Sequence, residues 1–133
     1  MRRAGAATVV AVAVLTLGAC GGGEGAPPDD EAIRTTLTTY LGAVARGDAR
    51  VACDQLGEGA RRDLVRSVRG AENCQDAVRR YRSGITREQR DQLRAAKVTA
   101  VRVDGDRATA KVLGGAESGR LQRRDGRWVI AGR

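Results

Sequence analysis

The chain has no histidine and no phenylalanine among its 133 residues, and its only aromatic side chains are one tryptophan and two tyrosines. Without an imidazole, the Ser-His-Asp triad, the Cys-His dyad and every histidine-based metal site are excluded. Serine is almost as scarce, with only Ser67, Ser83 and Ser118, none of them in a Gly-x-Ser-x-Gly setting. Lysine is confined to Lys97 and Lys111, so arginine carries most of the positive charge. A core without phenylalanine is built mainly from alanine, valine and leucine, and needs its few large rings for packing. The glycine-rich stretches Gly21–Gly25 and Gly114-Gly115 read as a tether and a turn, without a phosphate-binding arrangement.

What is present begins with the leader. Arg2 and Arg3 precede an apolar run from Ala6 to Leu17 that is too short to span a bilayer, and the run closes on Leu17-Gly18-Ala19-Cys20. Small residues next to a cysteine resemble the bacterial lipobox. The expectation is a cleaved signal peptide over residues 1–19, with Cys20 as the lipidated first residue of the mature chain. An ordinary secretory signal cleaved near Ala19 is the alternative. Residues 20–30 contain no hydrophobic side chain larger than alanine beyond the cysteine, and read as a flexible tether. The expected location is the outer face of the cell membrane, reached through the lipid on Cys20.

Residues 31–133 leave room for one modest domain. Without Arg2 and Arg3 the basic count falls from 24 to 22 against 16 acids, near +6. That balance reads first as a solubilising surface, with attraction to anionic headgroups as the sharper alternative. No platform of alternating aromatic and basic residues points to nucleic acid. With Cys20 committed to lipid, Cys53 and Cys74 remain as a pair expected to bridge in an oxidising compartment. Closing a loop of about twenty residues stabilises by roughly 3 kcal/mol in the chain-entropy model. Two thiols without histidine do not complete a zinc site by themselves, and the pair lacks Cys-x-x-Cys redox spacing.

Periodicity divides the domain. Asp29 or Asp30 is placed to cap a helix carrying Ile33, Leu37, Tyr40, Leu41 and Val44 on one face and ending at Gly47. Asp48 starts a short continuation through Cys53 and Leu56, and a further helix carries Leu64, Val65 and Val68. Asn73 starts another, with Cys74, Ala77, Val78 and Tyr81 on its inner stripe, and Thr86 with Gln89 forms a capping box. From Lys97 the pattern becomes strands: Val98 to Val103, Ala108 to Val112, Gly119 to Arg124 and Arg127 to Ile130, joined by Asp104-Gly105-Asp106, Gly114-Gly115 and Asp125-Gly126. Helices followed by an antiparallel meander make an α+β fold.

A first helix ending in Gly47-Asp48, then Val51-Ala52-Cys53, and a final hairpin closing on Asp125-Gly126-Arg127-Trp128-Val129-Ile130 resemble the nuclear transport factor two-like superfamily. The chain is most similar to the small actinobacterial lipoproteins of that group, over residues 30–133. The resemblance implies helices packed on a curved antiparallel sheet, forming a cone with a cavity at its open end. Enzymes of the group place an Asp-His pair in that cavity, which no position here can supply.

No catalytic residue, metal site or cofactor is assigned. Asp63, Asp76, Glu88 and Asp91 lie among arginines on solvated helix faces, as do the clusters at Arg79, Arg80 and Arg82 and at Arg123 and Arg124. Tyr40, Tyr81 and Trp128 are expected in the core, with lining of the cavity as their functional alternative. Three functions are compatible with the sequence. The first is a non-enzymatic envelope module that binds a protein partner. The others are a carrier of a small apolar or amphipathic ligand and, last, a carboxylate-based enzyme. An open cavity of several hundred Å³ favours the carrier, and an exposed apolar patch favours the protein partner.

Overall fold

The computed structural model describes residues 28–113 and 119–133. The expected signal peptide, Cys20, most of the expected tether and the expected turn at Gly114-Gly115 lie outside the described residues. The helical elements are α1 (Asp29–Arg46), α2 (Ala49–Asp54), α3 (Glu58–Ser67), α4 (Cys74–Gly84) and α5 (Arg87–Ala95). They precede the strands β1 (Lys97–Asp104), β2 (Arg107–Leu113), β3 (Gly119–Arg124) and β4 (Arg127–Ile130), which form an antiparallel sheet in the order β1-β2-β3-β4.

Helix α1 starts earlier than its spacing predicts. Pro28 occupies the N-cap position, and Asp29, Asp30 and Glu31 fill the first turn, where their charge complements the helix dipole. The expected tether therefore runs two residues too far, and neither aspartate acts as the cap. The far end follows expectation: Gly47 adopts φ +82°, a left-handed conformation that lets its N–H and that of Asp48 reach the carbonyls of Val44 and Ala43. Asp48 then caps α2 through Val51 N–H, Asn73 caps α4 through Asp76 N–H, and Thr86 with Gln89 closes both arms of the capping box on α5.

Helix α1 is the axis of the fold because it serves two clusters. Ile33, Leu37 and Leu41 pack on Val98, Ala108, Ala110, Val112, Leu121 and Trp128 of the sheet. Ala43 and Val44 pack instead on Ala49, Ala52, Cys53 and Val78 of α2 and α4. Tyr40 touches both clusters. The Cys53–Cys74 disulfide joins α2 to α4 with an S–S distance of 2.00 Å.

Two expected inward faces turn out differently. No residue of α3 is fully buried; Leu64, Val65 and Val68 are only half-covered, because this arginine-rich segment packs on one side only. Tyr81 is 44% exposed, so it does not belong to the core. On α4 the buried contact is made by Ala77 and Val78, and the larger ring lies at the border of that stripe.

In the sheet, Val98 and Val101 are separated by an odd number of positions, which would place them on opposite faces of a regular strand. The register shifts between Thr99 and Arg102, so that Ala100 and Val101 together oppose Ala110. This bulge, with Ala100 at φ +50°, returns Val98, Val101 and Val103 to the same face. Asp125 and Gly126 at φ +49° and +73° make the tight hairpin that their sequence predicts. One strand-like pairing has no sequence signal. Ile130 N–H donates to Gln55 C=O and Gly57 N–H to Ile130 C=O, each at 2.8 Å, so the α2–α3 linker pairs in parallel with β4. The linker covers an edge that would otherwise offer its backbone groups to another chain.

Candidate functional site

Two features combine polar and apolar groups from distant parts of the chain. The first is a seam where the start of α1 meets the last hairpin. Trp128, 5% exposed, donates its indole N–H to Asp29 Oδ1 at 2.9 Å, and Arg123 reaches Asp29 Oδ2 at 2.7 Å. The Arg123 guanidinium also stacks over the Trp128 ring at 4.8 Å. Its Nε is buried without a hydrogen-bond partner, and Asp106 Oδ1 lies 3.6 Å away as an electrostatic neighbour. The indole hydrogen bond and the guanidinium hold the Asp29 carboxyl below the usual carboxylate range. Arg123 is thus not on the solvated face expected for it. It follows Leu121 on the inner side of β3, as the period of two requires. A cleft of about 350 Å³ opens beside this seam.

The second feature is larger. A groove of about 1020 Å³ lies between α1, α3, the start of β3 and the C-terminal residues. Tyr40, Leu56, Ala60, Leu64 and Ile130 contribute apolar wall, and Arg66 and Arg120 stand among its polar residues. The C-terminal segment is held against α3 by Arg133 N–H donating to Asp63 Oδ2 at 2.8 Å. Glycine is required where the two meet: a Cβ on Gly132 would stand 2.6 Å from the backbone of Gly59.

Burial, with Tyr81 nearby, pushes the Tyr40 hydroxyl up to about 12, so Tyr40 serves as a neutral wall. Asp63, the groove's carboxylate, is held below the usual range by the Arg133 N–H and the paired Arg66. Asp76 is lowered in the same sense, chiefly by its hydrogen bond from Arg80. A general acid working near neutral pH needs a carboxyl displaced upward; Asp29, Asp63 and Asp76 all move down.

Of the residues singled out in the sequence, Cys53 and Cys74 are bridged, whereas Cys20 lies outside the described residues. The three aromatics do not share one pocket. Tyr40 lines the groove, Trp128 is in the core and walls the small cleft, and Tyr81 sits half-exposed on α4. Sequence reasoning missed the C-terminal wall of the groove, because nothing in Ala131-Gly132-Arg133 marks it as a neighbour of α3. Among the described residues no group of three metal-ligating side chains converges, and no helix is long and apolar enough to cross a membrane. Neither protein-family models, nor curated proteins, nor solved structures give a match to this chain.

Proposed function

We propose that this chain is a non-enzymatic binding module of the cell envelope, held at the outer face of the membrane through lipid on Cys20, whose groove receives a small amphipathic ligand. The groove is the observation that carries the reading. Its volume of about 1020 Å³ suits a small organic ligand. Apolar walls from Tyr40, Leu56, Leu64 and Ile130 would cover the ligand's body, and Arg66 and Arg120 would face an acidic head. The protein-partner reading has less support, since the exposed large apolar residues Tyr81, Val103 and Leu113 are scattered over α4, β1 and β2. The order of helices followed by an antiparallel sheet is what supports the resemblance to nuclear transport factor two-like lipoproteins.

A dansyl-labelled fatty acid tests the groove. Saturable binding with a blue-shifted emission is expected, and Leu64→Arg abolishes it in a variant that still folds, although it lowers the melting temperature because Leu64 also packs on the α1–α2–α4 cluster. Absence of saturable binding, or binding untouched by Leu64→Arg in a folded variant, overturns the carrier reading. The anchor is tested by Cys20→Ala, which moves the protein out of the detergent phase or leaves its leader uncleaved.

A further inference from the structure

Charge is distributed unequally over the two faces of the sheet. Residues paired directly across an antiparallel sheet share a face, so the register fixes the solvent side. One row reads Arg102, Thr109 and Arg120, and the next reads Asp104, Arg107 and Gln122. By the same alternation Lys97, Lys111, Arg124 and Arg127 lie on this side, as does Val129, which is buried beside Gly57 of the α2–α3 linker. Lys97, Arg102, Arg107, Lys111, Arg120, Arg124 and Arg127 are all exposed. Among the described strand residues Asp104 is the only acid on that face, and none of these seven cations forms an ion pair within the described residues. Arg120 and Arg124 hydrogen-bond only to the neutral groups Gly132 C=O and Gln122 Oε1. Like charges at such spacing repel one another in the isolated domain.

We infer that the outer face of the β1–β4 sheet docks on an anionic lipid surface. The cations are spread over a broad face instead of converging on one point, which suits a continuous layer of headgroup phosphates better than a single small anion. The route of the chain agrees with this, an argument that rests on Cys20 being the anchor. Pro28 is eight residues beyond Cys20, a reach of at most about 28 Å. Asp29, which follows it, is bonded to Arg123 and Trp128, at the hairpin end of the sheet that also carries Arg124. A lipid held by this tether keeps the basic face within reach of the bilayer. Arg120 and Thr109 line both the groove and a hollow of about 520 Å³ on this face, so a docked sheet would bring the groove to the membrane surface.

Both core clusters and the disulfide lie between Ile33 and Val129, so the chain from Gly21 onward holds the whole described fold and is free of any lipid. Cosedimentation of that chain with vesicles containing phosphatidylglycerol, and with vesicles of phosphatidylcholine alone, tests the face independently of the anchor. Binding to the anionic vesicles only is expected, and it should weaken as salt rises. At about fivefold per cation near an anionic surface, Arg102→Glu with Arg107→Glu should weaken binding at least about twenty-five-fold. Arg69→Glu with Arg79→Glu, exposed on the helical side, changes the net charge equally and should change binding less than about threefold, because those cations stay farther than a Debye length from the lipid. Lys111→Glu with Arg124→Glu gives a second reversal of the same face should the first variant not fold. Equal losses from the helical and sheet pairs, equal binding to neutral vesicles, or binding to polyglutamate or an oligonucleotide but not to vesicles would each overturn the inference.

Discussion

The helical and sheet parts of this domain treat charge in opposite ways. Residues 28–96 hold 13 cations and 11 acids, whereas residues 97–133 hold nine cations and four acids. In the helices the charges are matched locally: Asp30–Arg34, Glu58–Arg62 and Asp76–Arg80 pair at i,i+4, and Asp63–Arg66 and Asp91–Arg94 at i,i+3. On the outer side of the sheet, cations alternate with neutral residues along the strands; across the strands they face neutral residues or Asp104, except where Arg124 faces Arg127. A helix brings an acid and a base together from one short stretch of sequence. A sheet brings together residues from separate strands, so its charge surface is set by register. The helical part thus carries five local ion pairs, whereas the cations of the outer sheet face form none among the described residues.

The largest effect should come where the two parts meet. Trp128→Ala removes a buried ring from the cluster shared by α1 and the sheet, together with the hydrogen bond to Asp29. It should destabilise by about 3–5 kcal/mol, measured by urea unfolding. A loss under about 1 kcal/mol would show that the halves are held together elsewhere.

Cys53→Ser with Cys74→Ser acts only within the helical part. With a sequence separation of 21, it should lower stability by about 3 kcal/mol in the chain-entropy model. Intact mass after alkylation, with and without reductant, checks the bridge itself; two freely alkylated thiols in native protein would remove the basis of the prediction.

The seam should respond to pH. The folded-state pKa of Asp29 lies below its unfolded value, so its stabilising contribution is full above the ordinary aspartate range and is lost as pH falls through the folded value. Asp63 and Asp76 act in the same sense. Asp29→Asn should therefore unfold more readily at neutral pH than the parent, and the difference should shrink as both are acidified. A constant difference across that range would deny Asp29 this role.

The smallest effects compare the two charge patterns directly. Arg62→Ala breaks an exposed i,i+4 pair with Glu58 and should lower stability by a few tenths of a kcal/mol. Arg107→Ala removes a cation with no ion-pair partner among the described residues and should leave stability unchanged or slightly higher, with both variants read by urea unfolding.

Much of the helical part was legible because its signals are local. Gly47, Asp48, Asn73 and the Thr86–Gln89 box act within a turn or two of themselves and stand where their chemistry puts them. The alternation of Ala108, Ala110 and Val112 and the Asp125-Gly126 turn likewise carried the strands. Tyr81 and α3 were misread because periodicity identifies an apolar stripe but not whether another element covers it. The groove was half legible. Tyr40 is marked by its helix position, but its opposite wall comes from the C-terminal residues and the α2–α3 linker, which carry no local signal.

By itself, the sequence determined the order of elements, the caps and turns that bound them, the pairing of Cys53 with Cys74 and the absence of imidazole chemistry, because each depends on residue type or near-neighbour spacing. Only the tertiary structure decided that Asp29 meets Arg123 and Trp128, that residues 55–57 close the edge of β4, that a bulge at Ala100 realigns three valines, and that seven cations share one face of the sheet. Those outcomes depend on register and on contacts between residues far apart in the chain, where packing and strand pairing, not local preference, set the position of each side chain.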